Sequence, residues 1–159
     1  MPKSRPAISS EESRQRLRRI QQIAKRLGFV GTVEYRHEPT TSGGAQFRKG
    51  IDTLHDQLIV FAESFDRDAD PNDFSLEAMI AHERGHQILF RHPMLARQEY
   101  ELETEEVVAS VIGAIISESA DDRRDLYNKA VFDAVAKGIS EKRASEFVRT
   151  LRVILRRLL

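Results

Sequence analysis

The sequence predicts an α+β domain, a small and mostly antiparallel sheet packed on a histidine-bearing helix and a glutamate-bearing helix, with further helices at the N- and C-termini. Three observations predict it. Apolar residues recur at helical spacing in separate stretches before residue 28 and after residue 75. Between them, residues 29–65 shift to short alternating or wholly apolar runs, the pattern of strands. A chain of 159 residues, 40% apolar, is long enough for one domain with one core and too short for several. Residues 1–8 are expected to be disordered, 9–159 to form the domain, and 121–159 to be its C-terminal helical extension.

Taken in order, Ser9-Ser10-Glu11-Glu12 supplies a capping hydroxyl and acids for a first helical turn. Leu17, Ile20, Ile23, Ala24 and Leu27 continue the helix, and Gly28 stands where a terminating glycine is expected. Residues 29–35 alternate weakly as a half-buried strand, residues 39–44 read as a turn or mobile loop, and Ala45 to Arg48 is a second short strand. Leu58 to Ala62 is the clearest strand, apolar and partly β-branched.

From Phe65 to Asp73 the chain is an acidic loop. Its aspartates hint at calcium, but the glycine and downstream glutamate of such a loop are missing, so a solvated loop is expected. Asp73 or Ser75 caps a helix from about Leu76 to Phe90, which His92-Pro93 breaks. A second helix follows from about Leu95 to Ser117, with Val108, Ala109, Ile112, Ile115 and Ile116 as its buried stripe. The short link makes the two antiparallel neighbours. Two more helical patterns begin near Asp121 and Ser140, with Gly138 between them. A helix-turn-helix reading of that turn fits poorly in spacing, and a helical hairpin completing the core fits better.

Net charge is zero, but unevenly spread: residues 27–122 hold 19 acids against 7 bases, and both ends are basic. Basic terminal helices packing on the acidic centre explain this. Nucleic-acid or partner contact through the ends is the sharper alternative. The absence of cysteine excludes disulfides, thiolate metal sites and a cysteine nucleophile, and fits a reducing, cytoplasmic setting. No apolar run approaches a membrane span, so no membrane role is expected, and Met1 to Ser13 lacks a signal-peptide core.

The chemistry lies in Ala81-His82-Glu83-Arg84-Gly85-His86. On a helix, His82 and His86 sit one above the other and can close on one Zn²⁺, while Glu83 can reach a water held beside it. An antiparallel return places residues near 99–105 level with the histidines, and Glu99 to Glu106 is crowded with carboxylates. Extending the buried stripe backward through Glu105 reaches Glu101. Glu101 is therefore expected as third ligand, with Glu105 as a carboxylate behind it holding a histidine N–H. The exchanged assignment, Glu105 as ligand, stays open. If the site is catalytic, Glu83 is the general base, and Tyr100, His37, His55, His92 and the arginines are candidates to stabilise the oxyanion.

These residues, HERGH followed by Glu101-Leu102-Glu103-Thr104-Glu105-Glu106-Val107-Val108-Ala109, resemble the gluzincin metallopeptidases, most closely the ImmA/IrrE type of small bacterial proteins. The resemblance covers residues 55–117. It implies a minimal zincin-like fold, with His82, His86 and Glu101 as zinc ligands and Glu83 as base. Thr104, Glu105 and Val107-Val108 depart from that family's usual alanine, asparagine or aspartate, and Phe-Ala. Its members often cleave or release a DNA-binding repressor, which implies a protein or peptide substrate here, with a DNA-binding regulator as one possibility. The rival expectations are a non-catalytic protein that keeps this fold for protein or DNA binding, and a domain that uses metal only for stability.

Overall fold

A computed structural model describes residues 6–38, 44–66, 74–95 and 102–159. In chain order these form α1 (Ser10–Arg26), β1 (Thr32–Arg36), β2 (Ala45–Arg48), β3 (Gln57–Phe61), α2 (Leu76–Arg91), α3 (Leu102–Ile116), α4 (Ala120–Ala136) and α5 (Glu141–Leu158). Short 3₁₀ turns cover Thr53–His55 and Ala62–Phe65. The α+β class and the terminal helices are as the sequence predicts.

Serine hydroxyls open the helices by accepting backbone N–H groups that lack a partner in the first turn. Ser9 accepts from Glu12 N at 3.0 Å, Ser75 from Ala78 N at 3.0 Å and Ser140 from Arg143 N at 3.4 Å. Of the two caps considered for α2, Ser75 is the one used. Gly28, at φ +79°, ends α1 and lets Phe29 N reach back to Ala24 O at 2.9 Å. Leu95, expected to open α3, instead closes a turn with its N–H on His92 O and enters the core. Pro6 O accepts from His37 Nε2 at 2.7 Å, which joins the first described residues to the segment that follows β1. Asp68, Asp70 and Asp73 of the acidic loop lie outside the described residues.

The sheet has the order β1-β3-β2 and is mixed, with β3 antiparallel to β2 and parallel to β1. This departs from the mostly antiparallel expectation. β3 lies between the other two strands. Leu58, Ile59 and Val60 are fully buried, so this strand takes the centre, covered on both faces. β2 returns to β3 through residues 49–56 and runs against it, and the path from β1 through β2 brings β3 back alongside β1 in the same direction.

Helices α1 and α2 cover the sheet through Ile20, Ile23, Leu58, Val60 and Ile80. On the other side of α2, the large residues of α3 (Val107, Val108, Val111, Ile112) pack with Ala130, Ala134, Val148 and Leu155 of α4 and α5. The α2–α3 pair therefore lies between two apolar clusters. The buried sides of the basic helices α1 and α5 are taken up by this packing. No described helix is long and apolar enough to cross a membrane.

Candidate metal centre

The site begins with how closely α2 and α3 approach. A Cβ on Gly85 would run into Ala109 O, and one on Gly113 would lie 2.9 Å from Ala81 O. Small residues at four-residue spacing on both helices let the backbones meet. Large side chains at those positions would hold them apart. This contact turns Glu106 and Ser110 of α3 toward His82 and His86 of α2.

The four groups form one cluster. His82 Nε2 lies 3.0 Å from Glu106 Oε2, and His86 Nε2 lies 3.2 Å from Glu106 Oε1. The two Nε2 atoms are 3.1 Å apart. Behind the rings, His82 Nδ1 meets Ser110 Oγ at 2.9 Å and His86 Nδ1 meets Glu105 Oε1 at 3.1 Å. Both residues are 9% exposed, so this is a sheltered site rather than a solvated patch.

The donor set asks for a cation. A carboxylate oxygen only accepts, so His86 must carry its hydrogen on Nδ1 to satisfy Glu105. A neutral ring then points the lone pair of Nε2 at Glu106 and at the other imidazole. Lone pairs facing lone pairs repel unless a proton or metal ion lies between them. Three donors about 2.1 Å from a tetrahedral ion would stand roughly 3.4 Å from one another, close to the separations here. His82, His86 and Glu106 could thus hold a metal ion, their ligand atoms all lying within 4.8 Å of one another.

Protonation follows from the same contacts. Burial opposes charge on His86, but the hydrogen bond to Glu106 and the charges of Glu83 and Glu106 outweigh it. The ring therefore keeps its proton above the usual histidine range. Hydrogen bonds from His82 and His86 hold Glu106 far below the usual carboxylate range, against the pull of its burial. Glu83 is the reverse case: burial raises its pKa despite the nearby histidines. One of its oxygens accepts from Phe47 N, on β2, at 2.9 Å.

These residues line a cleft of about 580 Å³. Its floor is Ala78, Met79, His82, Glu83 and His86 of α2, one wall is Gly44 to Phe47, and the other is Leu126 and Lys129 of α4. Phe74 adds an apolar end beside Ala78 and Met79, and Glu105 and Glu106 close the acidic end.

The opposite side of α2 is locked to the sheet. Asp56, fully buried, accepts from Gln87 Nε2 at 2.9 Å, from Gly50 N at 2.8 Å and from Arg91 Nη2 at 2.6 Å. Gln87 Nε2 also donates to Val30 O at 2.6 Å, and Arg84 Nε donates to Leu27 O at 3.1 Å. Arg84, Gln87 and Arg91 recur at helical spacing, so one polar edge of α2 fixes the orientation of the edge that bears the histidines.

His82, His86 and Glu83 therefore come together, and Glu105 stands behind His86. Glu101 and Tyr100 lie outside the described residues. His37 bonds Tyr35 and Pro6, His55 bonds Asp52, and His92 bonds Leu158 O; none of the three lines the cleft. Glu106 was not singled out from the sequence. The signal for it was present in the small residues Ala109 and Gly113, which mark the edge of α3 that meets α2. The larger Val108 and Ile112 face the other cluster.

No family model, curated protein or solved structure matches this chain.

Proposed function

We propose that the protein is a zinc-dependent metallopeptidase of the gluzincin, ImmA/IrrE-like type that hydrolyses peptide bonds of a protein substrate. His82, His86 and Glu106 hold the ion and Glu83 is the general base. The observation that carries this reading is the convergence of two Nε2 atoms and one carboxylate in the cleft that Glu83 also lines. Two imidazoles and a carboxylate are a donor set that suits catalytic zinc.

Zinc bound there would lower the pKa of its water toward about 7 and polarise the scissile carbonyl. The chain's own residues do the rest. Glu83 takes a proton from the attacking water and passes it to the leaving amine. Its burial makes it a better proton acceptor than an exposed glutamate. Phe47 N–H holds one oxygen of that carboxylate in place. Ser110 and Glu105 fix the ring orientations of the two histidines. β2 is an edge strand beside the cleft, which supports binding of a substrate in extended form. The resemblance points to a protein or peptide substrate, with a DNA-binding regulator as one candidate class, in a reducing cytoplasmic setting.

Metal analysis of the purified protein, paired with peptide hydrolysis by wild type and Glu83→Gln, tests this. Zinc near one equivalent, lost in His86→Ala, with hydrolysis abolished in Glu83→Gln while zinc is kept, is the expected result. Zinc binding with no hydrolysis that depends on Glu83 would leave a binding protein or a structural metal domain instead.

A further inference from the structure

We propose that Lys129 is a catalytic residue, its ammonium binding the carbonyl oxygen of the scissile peptide bond as negative charge gathers there. The inference rests on the peptidase reading and adds the donor which that reading leaves unassigned.

Its place follows from helix register. Gly85 abuts Ala109 and Gly113 abuts Ala81, so α3 runs antiparallel to α2. Arg123 bonds Ser117 O and Lys137 bonds Thr104, so α4 runs antiparallel to α3 and hence parallel to α2. Ser75 Oγ donates to Asp122 Oδ1 at 2.6 Å, which ties the starts of α2 and α4 at one level. Seven residues further along each helix, roughly 10 Å at 1.5 Å per residue, stand His82 and Lys129. Lys129 is therefore level with the histidines and Glu83, and lines the same cleft.

Chemistry narrows the choice. Among the described residues lining that cleft, Lys129 is the one lysine or arginine, set against Glu83, Glu105 and Glu106. Asp133 Oδ2 accepts from Lys129 Nζ at 2.6 Å, which directs the amine, while two of its three N–H donors remain for a ligand. The Lys129 side chain is 28% exposed, sheltered enough for its charge to act strongly and open enough for substrate to reach it.

In the step, water oxygen bonds the carbonyl carbon and its proton goes to Glu83. The carbonyl π pair moves onto oxygen, where Lys129 donates a hydrogen bond. The pair returns as the C–N bond breaks, and the proton on Glu83 passes to the leaving nitrogen. Lys129 stays protonated throughout.

The test uses the full-length, zinc-loaded protein, a fluorogenic peptide that it cleaves, and a phosphonamidate peptide whose tetrahedral oxygens imitate the charged state. Lys129→Met should lower kcat about 100- to 1,000-fold with KM little changed. It should also weaken phosphonamidate binding at least tenfold, roughly one unit in log Kd, while binding of the parent peptide to a Glu83→Gln background stays the same. Zinc content and Tm should match wild type, and Lys129→Arg should recover part of kcat. Three outcomes overturn the assignment: kcat and phosphonamidate affinity kept in Lys129→Met, parent peptide and phosphonamidate weakened equally, or the loss appearing in Tyr100→Phe instead. If wild type cleaves no peptide, the peptidase reading fails by itself. Phosphonamidate affinity then still decides Lys129, since equal binding by wild type and Lys129→Met would sink it.

Discussion

The Nε2 atoms of His82 and His86 stand 3.1 Å apart with the Glu106 carboxylate closing on both. A proton and a metal ion bound there would compete for one small space. His86 holds its proton to higher pH than the usual 6.5 because Glu106, Glu83 and Glu105 outweigh its burial. A pKa raised on folding gives stability that is fully present below the unfolded value and lost as pH rises through the folded one. The metal-free protein should thus lose Tm as pH climbs from about 6.5 past that raised value. Zinc should reverse the trend, because binding displaces the proton and strengthens with pH. Calorimetry in buffers of different ionisation enthalpy should show proton release on zinc binding, and His86→Ala should reduce it. A pH-independent zinc affinity between 6 and 8 would contradict this picture.

Neighbouring glutamates should behave differently. Glu106 meets Nε2 of both histidines, whereas Glu105 meets only Nδ1 of His86. Glu106→Ala should remove most zinc affinity, leaving two ligands. Glu105→Gln should weaken zinc by about 10- to 100-fold, the usual cost of losing a carboxylate behind a ligand. Competition with a chromophoric chelator would measure both. If Glu101→Ala strips the metal and Glu106→Ala does not, the ligand belongs one turn earlier on the chain.

What could be read in the sequence, and what could not, divides along physical lines. Local signals were sufficient for the helices: a serine at 9–10 caps α1 and one of the two candidates, Ser75, caps α2, α5 begins beside Ser140, and Gly28 and His92-Pro93 end α1 and α2. The pairing of His82 with His86 was legible because i and i+4 share a helix face whatever surrounds them. Strand direction was not, since the apolar pattern of a strand reports which faces it buries and not which way its partner runs. The choice among the glutamates of α3 was obscured because the edge facing α2 carries small residues, Ala109, Ser110 and Gly113, rather than the apolar stripe that periodicity detects. Lys129 was hidden for a further reason. Its place depends on the level at which α4 docks, which long-range contacts such as the buried hydrogen bond between Ser75 and Asp122 help to set.

Asp56 should be the most costly polar residue to remove outside the cleft. Its carboxylate is fully buried and satisfied by Arg91, Gln87 and Gly50 N–H. Burial pushes its pKa up, but these partners prevail and hold it below the usual range. The stability it contributes is accordingly present above the unfolded carboxylate value and lost as pH falls through the lowered one. Asp56→Ala would strand the Arg91 guanidinium and the Gln87 amide, costing about 3–5 kcal/mol. Urea unfolding at neutral pH measures this. A loss below about 1 kcal/mol, the range of exposed ion pairs, would show that the clamp does not hold α2.

Gly85→Ala probes the close approach of α2 and α3 directly. The new methyl would strike Ala109 O, a backbone atom that can move only with its helix. Overpacking of this kind costs about 1–3 kcal/mol, although alanine alone favours a helix over glycine by about 1 kcal/mol. The two helices should part by a few tenths of an ångström, carrying Glu106 away from both histidines. Zinc affinity should therefore fall together with stability, even though residue 85 offers no ligand atom. Gly113→Ala, whose methyl would lie 2.9 Å from Ala81 O, should act the same way but more mildly. Chemical denaturation and chelator competition on the same samples separate the two effects. A Gly85→Ala protein that is more stable than wild type and binds zinc as tightly would show that the small-residue contact does not set the geometry of the site.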